Sequence, residues 1–268
     1  MADNSLHSFG VSTNIQGQNS TPGSVALPND SSMNYSKIEP SEGTSSFFGD
    51  FFELEGTLIH YFSLCTQFLS WFVVFPIFHI LFKINITGQE NLKGLKGPLI
   101  VASNHICFYD SFFFRLILGF FSPLMPMRFM GVTKFRGQTL NRLNNLGIVP
   151  LVYALFGVFV ITKGEGLEKG LQEAKQIIAN GGIVAIYPEG KMIYEDHVGP
   201  FKRGTVALSS MTGAAVLPIS LCLTKKSGWR KTFEANVGKP ITFSQGEDYV
   251  EGSDRLQKVV DKLYSQTN

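Results

Sequence analysis

From Gly56 to Phe82 the chain carries no Asp, Glu, Lys or Arg and is dense in Phe, Leu, Ile, Val and Trp. A bilayer-crossing helix needs about 20 apolar residues, and Trp71 and Tyr61 are residue types that favour the lipid–water boundary. The run is impure: His60, Gln67 and His79 interrupt it, and Pro76 lies inside it, where the ring kinks a helix or ends one. Two arrangements follow. In the first the run is a single span, and Glu53 and Glu55 before it with Lys83, Lys93 and Lys96 after it put its C-terminal side in the cytoplasm. In the second, two shorter helices bend near Pro76 and lie in one leaflet with both ends on the same side. Either leaves the downstream chain membrane-associated, on the cytoplasmic face. A buried core helix of a soluble fold suits a shorter run better.

Composition agrees with lipid contact. Charged residues make up 16% of the chain, against about 25% in ordinary soluble domains, and there are 24 Phe. At 268 residues there is room for one domain with appendages, or two small ones. A net charge of +2 is too balanced for a protein that coats nucleic acid. Cys65, Cys107 and Cys222 are too widely spaced for a disulfide framework or a zinc ribbon, and no metal site is expected. Residues 1–46 are rich in Ser, Asn, Gly, Pro and Thr without apolar period, which predicts a disordered tail. Residues 47–83 then form the anchoring segment, and residues 84–268 the working domain.

That domain reads as α/β, a mixed sheet flanked by helices. Strands are predicted over Leu99–Ser103, Gly157–Thr162, Ile183–Tyr187, Ala214–Ser220 and Phe233–Val237. Leu167, Leu171, Ala174, Ile177 and Ile178 recur at helical spacing before Asn180-Gly181-Gly182, so a strand–helix–strand unit is expected. Leu256, Val259, Val260 and Leu263 mark a terminal amphipathic helix opened by Ser253-Asp254. Pro218 in the fourth strand suggests an edge or a bulge.

Asn104-His105-Ile106-Cys107-Phe108-Tyr109-Asp110 follows the first of these strands. Five residues along a helix turn about 500°, leaving the two side chains about 140° apart, so contact between His105 and Asp110 needs a turn between them. An Asp bonded to one ring nitrogen fixes the imidazole tautomer and leaves the other nitrogen free to take a proton from a hydroxyl. Spacing alone fits better a plainer arrangement, in which Asp110 caps the following helix and His105 is a polar strand end. A second strand exit, Tyr187-Pro188-Glu189-Gly190-Lys191, lies at the same sheet edge, where open α/β sheets bind ligands. A third, Gly157 to Lys163, brings a cation there.

In order and spacing, Asn-His-x4-Asp, Gly-x-x-Val-Ile-x-Lys, Tyr-Pro-Glu-Gly and Val-x-Pro-Ile resemble the glycerolipid acyltransferases of the PlsC type, over about residues 84 to 245. The resemblance implies transfer of an acyl chain from acyl-CoA or acyl carrier protein to a lysolipid hydroxyl, above all that of lysophosphatidate. No cofactor beyond that donor is implied, and the partners are membrane lipids rather than nucleic acid. Carried over by position, His105 is the base and Asp110 its orienting partner. Tyr187, Pro188, Glu189, Gly190, Lys191, Lys163 and Arg203 would hold the acceptor. Two departures bear on the acceptor. Lys163 stands where the family has Arg, and Lys191-Met192-Ile193 replaces the usual Thr-Arg-Ser, so another lysolipid acceptor stays open.

Three rival readings are weighed. Cys107, two residues from His105, could serve a Cys-His acyl-enzyme mechanism. Gly164-Glu165-Gly166 to Gly170 departs from the dinucleotide fingerprint by one residue of spacing. A lipid-binding protein without turnover would keep the fold but has no need of His105, Asp110 and Glu189 together.

Overall fold

The computed structural model describes residues 56–107, 109–132, 138–161, 166–224 and 229–266. The tail (1–46) and Lys163 lie outside the described residues. The apolar run forms one helix, α1 (Gly56–Leu81), which continues through Pro76. The bent pair of short helices is therefore not what forms.

Strand β1 (Phe82–Thr87) leaves α1 directly, and β2 (Leu99–Ser103) leads into α2 (Asp110–Leu118). Then come β3 (Met127–Gly131), α3 (Gln138–Asn145), α4 (Ile148–Phe156) and β4 (Val158–Val160). The predicted helix after β4 is split into α5 (Leu167–Gly170) and α6 (Gln172–Ala179). The chain ends with β5 (Ile183–Ile186), α7 (Gly204–Thr212), β6 (Ala215–Thr224), β7 (Lys231–Val237) and α8 (Tyr249–Ser265). The seven strands make one mixed sheet in the order β1-β7-β6-β2-β5-β3-β4. Its centre is parallel, β6 and β7 are antiparallel, and β1 pairs parallel with β7.

Both faces of the sheet are covered, which is why β2 and β5 are near-continuous apolar runs rather than alternating ones. Leu99 and Val101 of β2 and Ile183 and Ala185 of β5 pack on the face covered by α1 and α2. Ile100, Ala102, Val184 and Ile186 pack on the other, against α6, α7 and α8.

Three expectations change. Pro218 is not on an edge: β6 sits between β2 and β7, with Pro218 in register with Ala102. The missing donor is tolerated because β7 breaks there. The ladder ends at Ile219↔Val237, Gly238 N–H donates to Pro218 O at 2.8 Å, and pairing resumes at the Val216↔Ile241 bridge. The terminal helix starts four residues before Ser253-Asp254, and its N-cap is Asp248, whose Oδ1 accepts the N–H groups of Val250 (2.7 Å) and Glu251 (3.0 Å). Gly252 sits inside α8 because a Cβ there would meet Val206 Cγ1 at 2.6 Å. Finally, β1 and β3 were not expected. Lys83, Asn85 and Thr87 of β1 are exposed, and Met127-Arg128-Phe129 is too short a signal to stand out.

The polar interruptions of α1 are its attachment points. Only Ser63, Gln67 and Val74 are buried among its described side chains, whereas Phe62, Leu69, Phe72 and Val73 are each more than half exposed. That outer face excludes the soluble-core reading. Gln67 Nε2 donates to Met127 O (2.8 Å), Phe156 O (3.0 Å) and Ser63 Oγ (2.9 Å), and Gln67 Oε1 accepts from Met127 N (3.1 Å). Thr66 donates to Leu155 O. One amide thus satisfies the start of β3 and the end of α4, groups that a helix terminus leaves open. Gln67→Leu keeps the size and orphans those groups, so thermal unfolding in detergent should report a loss of about 2–3 kcal/mol. An unchanged melting temperature would mean that the amide holds nothing.

Candidate active site

Five residues must turn sharply for His105 to meet Asp110, and both ends of that turn are pinned. At the exit of β2, buried Asn104 donates from Nδ2 to Leu221 O (2.8 Å) and accepts at Oδ1 from Leu221 N (2.7 Å), adding a side-chain rung between β2 and β6. His105 then leaves the sheet. Its Nδ1 lies 2.8 Å from Asp110 Oδ2, and the imidazole is partly exposed while Asp110 is fully buried. Nε2 has no hydrogen-bond partner among the described residues.

Asp110 does not cap its own helix. The N-cap residue of α2 is Tyr109, with no side-chain cap bond, and Asp110 reaches backwards: Oδ2 accepts the N–H groups of Ile106 (2.8 Å) and Cys107 (3.0 Å) as well as facing the imidazole. The plainer capping arrangement is therefore absent. The Cys107 thiol donates to the other oxygen, Oδ1, at 2.7 Å. Burial, then the charge of Asp110 and that hydrogen bond, push the thiol far above its usual range. A thiol engaged with a carboxylate and held protonated is not a nucleophile, and the Cys-His mechanism loses its footing.

The segment after β5 clamps His105 from the other side. Glu189, buried, accepts His105 N–H at Oε2 (2.8 Å) and Gly199 N–H at Oε1 (2.7 Å). Ile193 N–H donates to His105 O (2.8 Å). Burial raises the Glu189 carboxyl above its ordinary value, opposed by the two N–H groups that favour its anion. Each of its oxygens thus bonds this chain's backbone, and Glu189 ties His105 to the Gly199 loop. The Tyr187 ring stacks on the imidazole, centroids 4.1 Å apart, and its hydroxyl lies 3.5 Å from Ser111 Oγ. Burial and the nearby Asp110 charge hold that phenol well above its usual value.

The remaining sequence candidates spread outwards. Pro188 is buried, and its carbonyl accepts Lys202 N–H (2.9 Å). Gly190 has φ +64°, and a Cβ there would meet the Lys202 ammonium at 2.5 Å, so glycine lets that side chain lie across the turn. Lys191, Lys202 and Arg203 are exposed. Arg203 lies close enough to Asp248 to help lower that carboxyl, behind the two backbone N–H groups that do most of it. Among the described residues no group of three His, Cys, Asp or Glu side chains could hold a metal ion. The sequence motifs include Asn104 and Ile193 without assigning them a role, and sequence reasoning missed Gly199. The Gly199-Pro200 turn signal could have flagged the last of these.

Residues 83–222 match the sequence profile of the acyltransferase family. The chain belongs to that family. The chain is 27% identical over 150 residues to a chloroplastic 1-acyl-sn-glycerol-3-phosphate acyltransferase of Arabidopsis thaliana, covering 54% of this chain and 37% of that protein. It is 28% identical over 177 residues to a 1-acyl-sn-glycerol-3-phosphate acyltransferase of Pseudomonas aeruginosa, covering 62% and 61%. The chain thus spans less than two thirds of the length of these curated relatives. Its fold resembles that of the crystallised acyltransferase PlsC of Thermotoga maritima, with a TM-score of 0.55 at 21% identity over 82% of this chain and 88% of that one.

Two substitutions test the roles read here. Cys107→Ser keeps a donor to Asp110, so acyl transfer should survive within a few-fold, whereas Cys107→Ala should cost about 1 kcal/mol of stability. Loss of turnover in the serine variant with the fold intact would restore the thiol mechanism. Glu189→Gln turns an NH2 group towards one of two backbone donors. Chemical denaturation should show it weaker by about 1–3 kcal/mol, with reduced activity through a displaced His105.

Proposed function

We propose that this acyltransferase moves the acyl group of a thioester, acyl-CoA or acyl carrier protein, onto the free hydroxyl of lysophosphatidate, giving phosphatidate. The observation that carries the reading is the 2.8 Å contact between His105 Nδ1 and buried Asp110. With its N–H on Nδ1 directed at Asp110, the imidazole presents the Nε2 lone pair to a bound hydroxyl. As Nε2 takes the proton, the alcohol oxygen attacks the thioester carbonyl. The tetrahedral intermediate collapses with cleavage of the carbon–sulfur bond, and the departing thiolate recovers the proton from Nε2. Asp110 orients the ring and stabilises the imidazolium that forms. The names of the Arabidopsis and Pseudomonas relatives support the acceptor.

In this reading residues 84–268 carry catalysis, 47–83 the membrane anchor and 1–46 a tail. The acceptor phosphate meets Lys191, Lys202 and Arg203, with Lys163 supplying the charge of the family's Arg. Those lysines hold a phosphate as point charges rather than by a bidentate fork, and Met192 carries no charge at all. This favours one second reading, the same chemistry on a lysolipid with a different headgroup.

Detergent-purified full-length protein with labelled acyl donors and a panel of lysolipids decides between them. Phosphatidate should form, and His105→Ala or Asp110→Asn should slow it by about 10²–10⁴-fold, the usual contribution of a general base. Transfer only to other lysolipids would reassign the acceptor. No transfer from either donor to any acceptor would overturn the reaction in favour of lipid binding alone.

A further inference from the structure

Helix α1 is docked along one side over nearly its whole length. Ser63, Gln67 and Val74 are buried, and Phe82, the residue after it, is buried too. From Ser63 to Phe82 this covers about 28 Å at 1.5 Å per residue. The domain surface beside the Ser63 end is charged: Arg128 Nε donates to Gly157 O (2.9 Å), a Cβ on Gly157 would run into the Ser63 hydroxyl, and Arg128 also meets Glu173 at 3.5 Å. Stood upright across a bilayer, α1 would carry that pair into hydrocarbon, where neither ion keeps its water. Lipid can therefore meet only the outer face of α1, and whatever flanks that face must meet lipid as well.

Two elements flank it. The first is α4, whose C-terminal carbonyls are bound by Thr66 and Gln67. Its nine residues, Ile-Val-Pro-Leu-Val-Tyr-Ala-Leu-Phe, carry no charge. Ile148, Leu151 and Val152, spaced i, i+3, i+4, are 44%, 53% and 41% exposed, and Leu146 ahead of them is 73% exposed. A helix apolar on its solvent side has an unmet apolar environment. The second stands at the opposite end of α1. There Arg230 Nη1 donates to His79 O (3.2 Å) and its guanidinium lies 5.5 Å from the ring of Trp229, which is 79% exposed. Lys231 and Lys83 are exposed beside them. An exposed Trp among cations is what a layer of anionic headgroups accommodates.

We propose that α4 is a second lipid-embedded element, and that α1 and α4 lie along one leaflet of an anionic membrane with Trp229 and Arg230 at headgroup depth. The occupant of the α4 face is acyl chain, not protein. Continuity with the outer face of α1 and the cations at its end select lipid over a second copy of the chain.

The test uses single-tryptophan versions of the full chain. Trp71→Phe leaves Trp229 as its own reporter. Adding Trp229→Phe with Leu151→Trp, or with Val152→Trp should the first fold poorly, places the reporter on α4, and Lys258→Trp on α8 serves as control. Each is reconstituted in phosphatidylcholine–phosphatidylglycerol vesicles containing chain-brominated lipid. Emission from position 151 or 152 should fall by about half and be shielded from aqueous iodide, as expected for a face buried 5–10 Å into the leaflet. Trp229 should be quenched by bromines near the headgroup, and position 258 by iodide alone. A reporter on α4 that stays open to iodide overturns the proposal. So does one shielded from iodide but untouched by bromolipid, which would assign the face to a second copy. Because the readout is depth, it stands apart from whether acyl transfer is observed.

Discussion

Taking a carboxylate out of water costs several kcal/mol unless its oxygens find donors. Asp110, wholly buried, finds the imidazole of His105, two backbone N–H groups and a thiol. The turn from β2 into α2 is folded around that requirement: the N–H groups of Ile106 and Cys107 converge because the carboxylate needs them. Glu189 does the same from β5, joining His105 to the Gly199 loop. Two buried acids therefore stitch two strand exits together, and His105 is the residue both of them touch. Its backbone is held by one and its ring by the other.

What the sequence made legible follows from where single interactions dominate. The apolar runs of β2 and β5 were readable because both sheet faces are covered. The two motifs were readable because each begins where such a run stops. The roles inside them were less so. The sequence does not show that each oxygen of Glu189 bonds a backbone N–H, because nothing in a linear string tells a carboxylate facing outwards from one facing in. Cys107 entered as a rival nucleophile because spacing places it near His105, whereas the loop turns its sulfur to Asp110. Pro218 in an inner strand and Gly252 inside a helix share one physical reason. Local propensity argued against a central strand and a helix interior, and a break in β7 and a close approach to Val206 outweighed it.

The impurities of the apolar run carry a related lesson. Read as a string, Gln67 weakens the case for a lipid-facing helix. In the fold it faces the domain, where its amide bonds three partners, and the outer side of α1 is left apolar. Polar residues in such a run report which side touches protein, a distinction that total hydropathy averages away.

The reversal at β7 also settles where the apolar helix delivers the chain. Because β7 runs against β6 and β1 follows β7, the first residue of β1 emerges on the rim where β2 ends. The rings of Phe78 and Phe82 accordingly stand about 6 Å from Tyr109, the neighbour of Asp110. Had the sheet been parallel throughout, the same helix would have ended a full strand length away. A hydrophobic molecule searching in two dimensions along α1 would thus reach the turn that holds His105 at the end of its track, without a detour through water.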